Sequence, residues 1–535
     1  MPSQTALRPT STHMFTGRDV PWLLRTRAAT RADHTFLVWE PFEGTARCWT
    51  YAEFAAEVGR VAAGLAGRGI RAGDFVLIHL GNCPEFLFAW FACSQLGVVA
   101  VTTNTRSSLD ELGYFASNSN AVAAITQPEL LGLVQQACKG LRWIACTETD
   151  LGTPATAAIP ADVLPFSALR SEDVAVPVRA AEAMAPNSVQ YTSGTTSRPK
   201  GVVWTHANAL WGAKMCAHHL ELTQDDVTLA FLPLFHTNAL AYSMLSTMWS
   251  GGTLVLQPKF SASRFWDVIV RNGCTWNSTI PFAMFALMKH PAPKEHKLRF
   301  FGLGASDVPV IKQLWNTRSL GWFGMTETIS WPLMAEIGWA NREMAMGVPT
   351  AGYEVKVVRD DGSEVAFGES GQLKIKGMPG MSLFLEYLGN PKATADAFDA
   401  DGWFCTGDLV TPFEDGHVRF DMREKDVLRV GAENVSAAEV ERVILGCGGI
   451  TEAAVVAMPD RMLEEVPVAY VIPIMPDPTL AGRVLEQCRK QLADFKVPRQ
   501  VFVVDDLPRV TLGKIDKKTL RLRLREAFDQ EESAK

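Results

Sequence analysis

The sequence predicts an α/β protein with a large N-terminal domain of βαβ units, a β-rich subdomain, and a small α+β domain at the C-terminal end. Three observations support this fold class. The chain of 535 residues exceeds one ordinary hydrophobic core, helix and strand patterns alternate through its first part, and the pattern changes twice further on. The composition, with 47% hydrophobic and 20% charged residues, is typical of a folded globular protein.

Helix and strand patterns alternate over residues 51–126. The stretch YAEFAAEVGRVAAGLAGRG has the spacing of an amphipathic helix, and FVLIHL after it predicts a short buried strand. CPEFLFAWFACSQLG predicts a second helix that ends at Gly97, and VVAVTT predicts a second strand. The same alternation returns over residues 263–305. Helices that alternate with strands in this way indicate a parallel sheet.

Two changes of pattern divide the rest of the chain. Short strand patterns and turns such as VRDDG and FEDG fill residues 345–422 approximately, and they predict a β-rich subdomain. Beyond them, mixed helix and strand patterns predict a compact α+β unit. We therefore expect a large domain over 1–422, a connecting segment at 423–426 and a small domain over 427–535. The acidic end DQEESAK is expected to be frayed.

Charge and cysteine content narrow the class of protein. A net charge of −7 gives no electrostatic support to a nucleic-acid partner. The ten cysteines include no C-x-x-C pair, which disfavours a structural zinc site and suits a reducing compartment. The first residues lack the apolar core of a signal peptide, and no apolar run approaches roughly 18 residues. We therefore expect a cytoplasmic protein without stable membrane insertion.

The most informative stretch is YTSGTTSRPKGVV, residues 191–203. Hydroxyl side chains, a Gly that lets backbone N–H groups approach an anion, and the cation Lys200 together suit a phosphate chain. A run of Ser, Thr and Gly alone is more often a flexible surface loop, but the Pro-Lys-Gly ending argues against that interpretation. The stretch is not a Walker A loop, because Pro199 precedes the Lys and Gly201 follows it.

This stretch resembles the signature loop of the adenylate-forming superfamily, which includes acyl-CoA synthetases, adenylation domains and luciferases. Ser197 stands where a Gly is usual. The TSRPKG form, HLGNCPEFLFAWF and KGMPGMSLFLEYLGNPKATA look most like carnitine/crotonobetaine-CoA ligases. The resemblance covers nearly the whole chain, in order. It implies a large ATP- and acyl-binding domain and a small mobile C-terminal domain.

The resemblance assigns the nucleotide site residue by residue. Residues of the loop would hold the β- and γ-phosphates of ATP, GLGAS and FGMTET would contact the adenine and α-phosphate, and GWFCTGDLV and DMREKD would supply ribose partners. Glu327, with Thr196, would hold Mg²⁺. The nucleotide-binding residues implied are Thr192, Ser193, Gly194, Thr195, Thr196, Lys200, Gly304, Ala305, Ser306, Phe323, Gly324, Met325, Thr326, Asp408 and Arg423. Taken alone, an Asp after a Gly is a common turn residue, and M-T-E-T is a helix N-cap.

The resemblance also implies the moving parts. Lys514, in PRVTLGKIDKKTL, would be the mobile catalytic lysine, and Lys425 with Asp426 would form the hinge. Met422 stands where a Gly is usual. Gly431, Ala432 and Glu433 would border the path of the coenzyme A thiol. Read singly, a lysine is usually a surface residue and REKD a solvated charge cluster.

The acid pocket is expected around FLPLFHTNAL and three later segments. His236 would act with Phe235 as a gate between the acid and the thiol, although a lone His in an apolar stretch is more often a core residue. The other predicted pocket residues are Asn238, Tyr242, Trp276, Phe282, Gly302 and Trp331. They are mostly apolar or aromatic, which favours an apolar or bulky cyclic acid, and a carnitine-like cation could lie on aromatic faces.

The predicted reaction is therefore the AMP-forming ligation of a carboxylic acid to coenzyme A, with ATP, Mg²⁺ and coenzyme A as cofactors or co-substrates. Two alternatives stay open: transfer of the acyl group to a carrier protein or an amine, and a nucleotide-binding protein without turnover. A luciferase-like oxygenation is a remote third. The partners expected are small molecules, and a homodimer is left open.

Overall fold

The computed structural model describes residues 12–155, 158–172, 176, 179–192, 198–423, 427–431, 433–508 and 515–533. For a few of these residues, among them Met422, Arg423 and Val427, only the backbone is described. Strands and helices alternate through most of this length, as the sequence predicted.

The helices of the described residues include three short 3₁₀ segments, Phe166–Leu169, Thr326–Thr328 and Asp494–Lys496, and a π-helix, Asn238–Leu245. The α-helices are α1 (Val20–Thr30), α2 (Tyr51–Gly67), α3 (Pro84–Leu96), α4 (Leu109–Ser119), α5 (Pro128–Ala137), α6 (His206–His219), α7 (Ser246–Ser250), α8 (Ala262–Asn272), α9 (Pro281–Leu287), α10 (Pro309–Trp315), α11 (Pro391–Asp396), α12 (Ala437–Leu445), α13 (Leu480–Gln491) and α14 (Lys517–Ser533).

The strands of the described residues form two large sheets and three smaller ones. In chain order they are β1 (Thr35–Trp39), β2 (Arg47–Thr50), β3 (Phe75–His79), β4 (Val99–Thr102), β5 (Ala123–Thr126), β6 (Trp143–Cys146), β7 (Thr149–Asp150), β8 (Thr153–Pro154), β9 (Leu164–Pro165), β10 (Pro186–Thr192), β11 (Lys200–Thr205), β12 (Val227–Ala230), β13 (Thr253–Leu256), β14 (Trp276–Ser278), β15 (Phe300–Leu303), β16 (Arg318–Phe323), β17 (Leu333–Met334), β18 (Val348–Pro349), β19 (Glu354–Val358), β20 (Gly371–Lys376), β21 (Glu386–Tyr387), β22 (Phe404–Pro412), β23 (Val418–Arg423), β24 (Val427–Val430), β25 (Glu433–Ser436), β26 (Ile450–Asp460), β27 (Glu464–Pro473) and β28 (Gln500–Val503).

The two large sheets are parallel in their interiors; the first is antiparallel at both edges, and the second is antiparallel at its β21 edge and parallel at its β9 edge. One has the order β18-β17-β16-β15-β14-β12-β13-β1-β2 and the other β21-β11-β10-β4-β3-β5-β6-β9. The pairs β3–β4, β3–β5 and β4–β10 are parallel, and so are β12–β14, β14–β15 and β15–β16. The parallel βαβ units predicted from the sequence are therefore confirmed.

Helices α3 and α6 are buried on nearly all sides. Eleven of the thirteen residues of α3 are buried, as the run PEFLFAWFACSQL requires, because a helix that is apolar all round must be covered all round. Their side chains belong to one hydrophobic cluster with residues of both large sheets. Helix α3 ends where Gly97 adopts φ +71°, a conformation that glycine takes at low cost. The site-bearing strands thus rest on one continuous core.

A four-stranded antiparallel sheet, β19-β20-β22-β23, occupies the predicted β-rich region. Strand β20 alternates buried and partly exposed residues, the pattern of a sheet with one covered face. The next strand, β24, begins at Val427 and belongs to a separate sheet of order β25-β24-β27-β26, which β28 extends beside β27. The domain boundaries given above stay predictions, and the hinge residues Lys425 and Asp426 lie outside the described residues.

The C-terminal sheet is covered on both faces. Helices α12 and α13 pack with Val455 on one face, and Leu520 and Leu524 of α14 pack with Ala454 and Val456 on the other. The expectation of a frayed end is wrong for residues 529–533, because α14 continues to Ser533. Packing of its apolar residues stabilises the helix, so its charged end continues the same helical ladder.

Among the described residues, the helices are all too short or too polar to cross a membrane.

Candidate active site

The loop singled out in the sequence connects two antiparallel strands. Strand β10 leads into it and β11 leads out, with Thr192 directly opposite Lys200 at its base. Gly201 lies against Val189, Tyr191 and Leu388, and a Cβ there would come within 3.0–3.3 Å of all three. Ser193, Gly194, Thr195 and Thr196, at the tip of the loop, lie outside the described residues, whereas Thr192 and Lys200 lie at its base.

Lys200, Tyr387 and Glu327 come from distant parts of the chain and form one group. The ammonium Nζ of Lys200 lies 4.4 Å from the centre of the Tyr387 ring, and the Tyr387 hydroxyl donates a 2.9 Å hydrogen bond to Oε1 of Glu327. Tyr387 reaches this position because β21 pairs with β11. Burial and the charge of Glu327 raise the pKa of Tyr387, so the phenol stays protonated and donates. Sequence reasoning missed Tyr387, although it lies inside one of the stretches quoted for the resemblance.

The turn that carries Thr326 and Glu327 is held by the backbone. The indole of Trp204 donates to the carbonyl of Thr326 at 2.9 Å, and the amide of Phe384 donates to the carbonyl of Glu327 at 2.8 Å. Directly after it, Ile329 adopts φ +65° and ψ −51°, and Ser330 N donates to Thr328 O at 2.6 Å across it. A β-branched residue in this strained γ-turn indicates that the surrounding packing fixes the Thr-Glu pair.

The segments predicted to contact the adenine lie at the ends of β15 and β16. Phe323 ends β16 and is buried, while Gly304 is exposed and Ala305 partly so. Ser306 is fully buried, its N–H donates to Ala345 O at 2.8 Å, and its hydroxyl accepts from Gly321 N at 3.1 Å. The structure therefore gives Ser306 a part in joining these strands. Gly324 and Met325 connect Phe323 to the Thr-Glu turn.

The two predicted ribose partners lie opposite each other in one sheet. Asp408 of β22 pairs with Arg423 of β23, and Asp408 is fully buried. Its backbone N–H donates to the Thr406 hydroxyl at 3.1 Å. For Arg423 the backbone alone is described, so the pairing is stated for the register of the strands.

The predicted acid pocket centres on the π-helix Asn238–Leu245, which follows His236. π-Helical turns often occur at functional sites. This one carries Asn238, which accepts a hydrogen bond from Ser278, and Tyr242, whose ring lies 4.8 Å from that of Trp331. Trp276 lies on the same strand as Ser278, two residues away and so on the same face of β14. Phe282 packs against Phe260, with the ring centres 6.2 Å apart.

Trp322 packs among these predicted pocket residues, and sequence reasoning missed it. Its ring stacks on Trp331 at 4.6 Å with an interplanar angle of 16° and meets Tyr242 at 6.2 Å. A Cβ on Gly302 would come within 1.6 Å of the Trp322 ring, so the indole lies directly on that glycine. The signal was present, because Trp322 immediately precedes the FGMTET motif.

The predicted gate joins the large N-terminal part of the chain to its C-terminal part. Nε2 of His236 is 3.3 Å from Oε2 of Glu433, and the rings of Phe235 and His236 are 4.6 Å apart. Gly431 donates its N–H to Leu463 O at 2.6 Å. Ala432 and the predicted catalytic residue Lys514 lie outside the described residues. The structure thus joins His236 and Glu433 and leaves the placement of Lys514 a prediction.

This chain resembles known proteins over most of its length. The model of the AMP-binding enzyme family matches residues 24–388, and that of the AMP-binding enzyme C-terminal domain matches residues 439–514. The chain belongs to the AMP-binding enzyme family. A crotonobetaine/carnitine–CoA ligase of Escherichia coli O7:K1 is 33% identical over 91% of this chain and 96% of that relative.

Solved structures give the same class. The o-succinylbenzoate CoA synthetase (MenE) of Bacillus subtilis, as a double mutant bound with the product analogue OSB-NCoA, is 28% identical and has a TM-score of 0.79 over 93% of this chain and 97% of that one. The same synthetase in complex with its acyl-adenylate intermediate OSB-AMP matches over the same shares with a TM-score of 0.66. The predicted enzyme class, an AMP-forming acid–thiol ligase, is confirmed.

Proposed function

We propose that this enzyme joins a compact carboxylic acid to coenzyme A through an acyl-adenylate, with ATP as the energy source. The observation that carries the proposal is the grouping of Lys200, Tyr387 and Glu327 at the base of the hydroxyl-rich loop. A cation and a buried carboxylate beside a phosphate loop suit a nucleoside triphosphate. The buried carboxylate of Asp408, opposite Arg423, suits two ribose hydroxyls.

In the first step an oxygen of the acid carboxylate attacks the α-phosphorus of ATP, and the bond to the β-phosphate breaks to release pyrophosphate. Two anions must meet, so the protein contributes positioning and positive charge. Lys200 and the loop hold the β- and γ-phosphates, Thr326 contacts the α-phosphate, and Lys514 is proposed to bridge it to the acid.

The residues present fit a magnesium ion. Mg²⁺ prefers one or two carboxylates together with phosphate oxygens, and Glu327 offers one buried carboxylate whose backbone is fixed by Phe384. Glu327, with Thr196 of the loop, would hold the ion, which would supply charge neutralisation on the triphosphate.

In the second step the thiol of coenzyme A attacks the acyl carbon, the bond to the phosphate oxygen breaks, and AMP leaves. The proposal places the thiol path beside Phe235, His236 and the loop at Gly431–Glu433, which the 3.3 Å contact of His236 with Glu433 supports. The segment with Lys425 and Asp426 is proposed as the hinge that exchanges Lys514 for this loop between the steps.

The acid is proposed to be compact. Trp322 lies on Gly302 and stacks on Trp331, which shortens the pocket behind the reacting carboxylate. The faces of Tyr242, Trp322 and Trp331 could also attract a quaternary ammonium group. The relative at 33% identity is named for acids of that kind. This favours a short acid, with or without a cationic end, over a long acyl chain.

Pyrophosphate release over a panel of short, long, cyclic and betaine acids, with and without coenzyme A, tests the proposal. The proposed ligase releases pyrophosphate in steady turnover with coenzyme A and a compact acid, and forms the thioester and AMP. Stoichiometric release that ignores coenzyme A would point to a carrier protein or an amine as acceptor. No release with any acid would contradict the proposal and favour a nucleotide-binding protein.

A further inference from the structure

A buried charge cluster joins the first part of the chain to the C-terminal part, and the reaction steps above do not use it. Nζ of Lys496 contacts Oε1 of Glu111 and lies 3.1 Å from both carboxylate oxygens of Glu439. Lys496 and Glu111 are each 5% exposed, and Glu439 is 3% exposed. Glu111 lies in α4, next to β4 and β5 of a large sheet, whereas Glu439 lies in α12 and Lys496 follows α13.

The cluster is asymmetric across this boundary. Lys496 and Glu439 both belong to the predicted C-terminal domain, here called the C-terminal unit, whereas Glu111 belongs to the predicted large domain, here called the large unit. Any separation of the two units would therefore leave Lys496 paired with Glu439. Glu111 alone would lose its charged partner. A buried carboxylate without its partner is strongly unfavourable, and only renewed contact with water would relieve it. The Glu111–Lys496 contact is therefore specific to the docked arrangement of the two units.

Glu111 is held in place by its own helix. Its Oε2 accepts from Ser108 N at 2.8 Å, and the Ser108 hydroxyl accepts from Glu111 N, which forms a capping box at the start of α4. The carboxylate thus uses one oxygen for the cap and the other for Lys496. A preorganised acceptor of this kind fixes the position of the lysine more tightly than two flexible surface residues would.

Weaker contacts surround the cluster. Arg106 forms a 2.6 Å ion pair with Asp494 and lies 4.7 Å above the ring of Phe495, and the Ser108 hydroxyl donates to Gln491 O at 2.9 Å. These contacts of Arg106 and Ser108 lie at the solvent-exposed edge of the cluster, where ion pairs contribute little to stability. The buried contact of Lys496 with Glu111 therefore distinguishes the docked arrangement of the two units from a separated one.

We propose that Lys496 is a positioning residue for the thioester-forming step: through Glu111 it holds the C-terminal unit in the docked arrangement that brings Glu433 to His236. The two contacts share this arrangement, because Lys496 and Glu433 lie in the C-terminal unit while Glu111 and His236 lie in the large one. This inference rests on the two-step function proposed above.

The structural comparison supports the assignment to the second step. At equal coverage, this chain matches the synthetase bound with a CoA product analogue better than the same synthetase with its acyl-adenylate, with TM-scores of 0.79 and 0.66. The arrangement that contains the Lys496 cluster is therefore closer to the one found with a CoA-containing ligand.

The test separates the two half-reactions in the full-length enzyme. Glu111→Gln keeps an oxygen for the helix cap and removes the charge, and it leaves Lys496 paired with Glu439. We expect thioester formation from supplied acyl-adenylate and coenzyme A to slow about tenfold or more, the effect of losing roughly 1.4 kcal/mol. The rate of acid-dependent adenylate formation should stay within about twofold of the wild-type rate. This selectivity distinguishes a positioning role from a merely structural defect, which would slow both steps. Glu486→Gln, on the exposed face of α13, is the matched control.

A double-mutant cycle sharpens the result. Once Lys496→Met is present, Glu111→Gln should have little further effect on the thioester step, because the contact is already gone. If Lys496→Met fails to fold, the variant with Glu111→Gln, Lys496→Met and Glu439→Gln together, which buries no charge, is measured and should show the same selective loss. Equal loss in both half-reactions, additive effects, or an unchanged ratio would overturn the proposal. Absence of both half-reactions in the wild-type enzyme would instead contradict the proposed function.

Discussion

The imidazole of His236 and the carboxylate of Glu433 lie 3.3 Å apart although 197 positions separate them in the sequence. Burial alone would raise the pKa of Glu433, but His236, with Asn104 and Arg106, holds it below its ordinary value. The carboxylate is therefore charged at neutral pH and can orient the imidazole. This contact connects the predicted acid gate with the predicted thiol path.

Substitution of Glu433 by Gln should slow the thioester half-reaction about tenfold or more and leave adenylate formation nearly unchanged. The reason is the loss of a hydrogen bond to a charged group, which contributes about 1.5–3 kcal/mol. Single-turnover kinetics with supplied acyl-adenylate measure the first rate, and acid-dependent pyrophosphate exchange measures the second. A variant that loses both equally would remove Glu433 from the thiol path.

Lys514→Ala should block adenylate formation by several hundredfold or more and spare thioester formation from supplied acyl-adenylate. A lysine that neutralises two reacting anions stabilises the first transition state by about 3 kcal/mol or more, as other preorganised electrostatic groups do. Lys392→Ala, which alters a well-exposed surface lysine, is the control for removal of a positive charge. Should both half-reactions of the Lys514 variant fall together, the assigned role would be wrong.

Trp322→Ala should lengthen the acid pocket. Because the indole lies on Gly302, its removal opens space within the proposed acid pocket. The wild-type enzyme should prefer acids of few carbons, and the variant should gain kcat/KM for longer acids while it loses on short ones. A cavity at this position also lowers stability by about 3–5 kcal/mol, so rates are compared well below the melting temperature. Trp339→Ala, at an exposed position, serves as control. An unchanged chain-length profile would exclude Trp322 from the pocket.

Local sequence patterns predicted the fold, because apolar runs bounded by Gly indicate parallel units. The resemblance to a known family, carried by short contiguous motifs, assigned the loop, the Thr-Glu turn and the ribose partners Asp408 and Arg423, whose roles stay predictions. Tyr387, Trp322 and Lys496 were not found from the sequence. Strand register and the docking of separate units bring them to their partners, which are Glu327, Gly302 and Glu111 in the same order. Periodicity reports which face a residue occupies, whereas such contacts depend on which segment covers that face.

Stability should decline as the pH falls below about 6.5. Burial lowers the pKa of His79 and of His219 to about 4, and burial with Arg179 lowers that of His206 to about 3. Between these values and the ordinary pKa of 6.5, the unfolded chain binds protons that the folded chain does not. Each histidine therefore lowers the free energy of unfolding by up to about 1.4 kcal/mol for each pH unit of acidification. Urea unfolding at several pH values measures the slope.

His79→Gln should make that slope shallower, because Gln does not titrate and can still bond to the Thr103 hydroxyl, which lies 2.9 Å from Nδ1. His290→Gln, at a half-buried position, is the matched control. A midpoint that rises on acidification would contradict the assignment of these histidines as buried and neutral.

Isotope transfer tests the central claim most directly. An acid that turns over is supplied with ¹⁸O in both carboxylate oxygens, and the products formed with ATP and coenzyme A are examined by mass spectrometry. If the carboxylate attacks the α-phosphorus and the thiol then attacks the acyl carbon, one ¹⁸O atom ends in AMP and none in pyrophosphate. Label in inorganic phosphate together with ADP, or unlabelled AMP, would contradict an acyl-adenylate at this site.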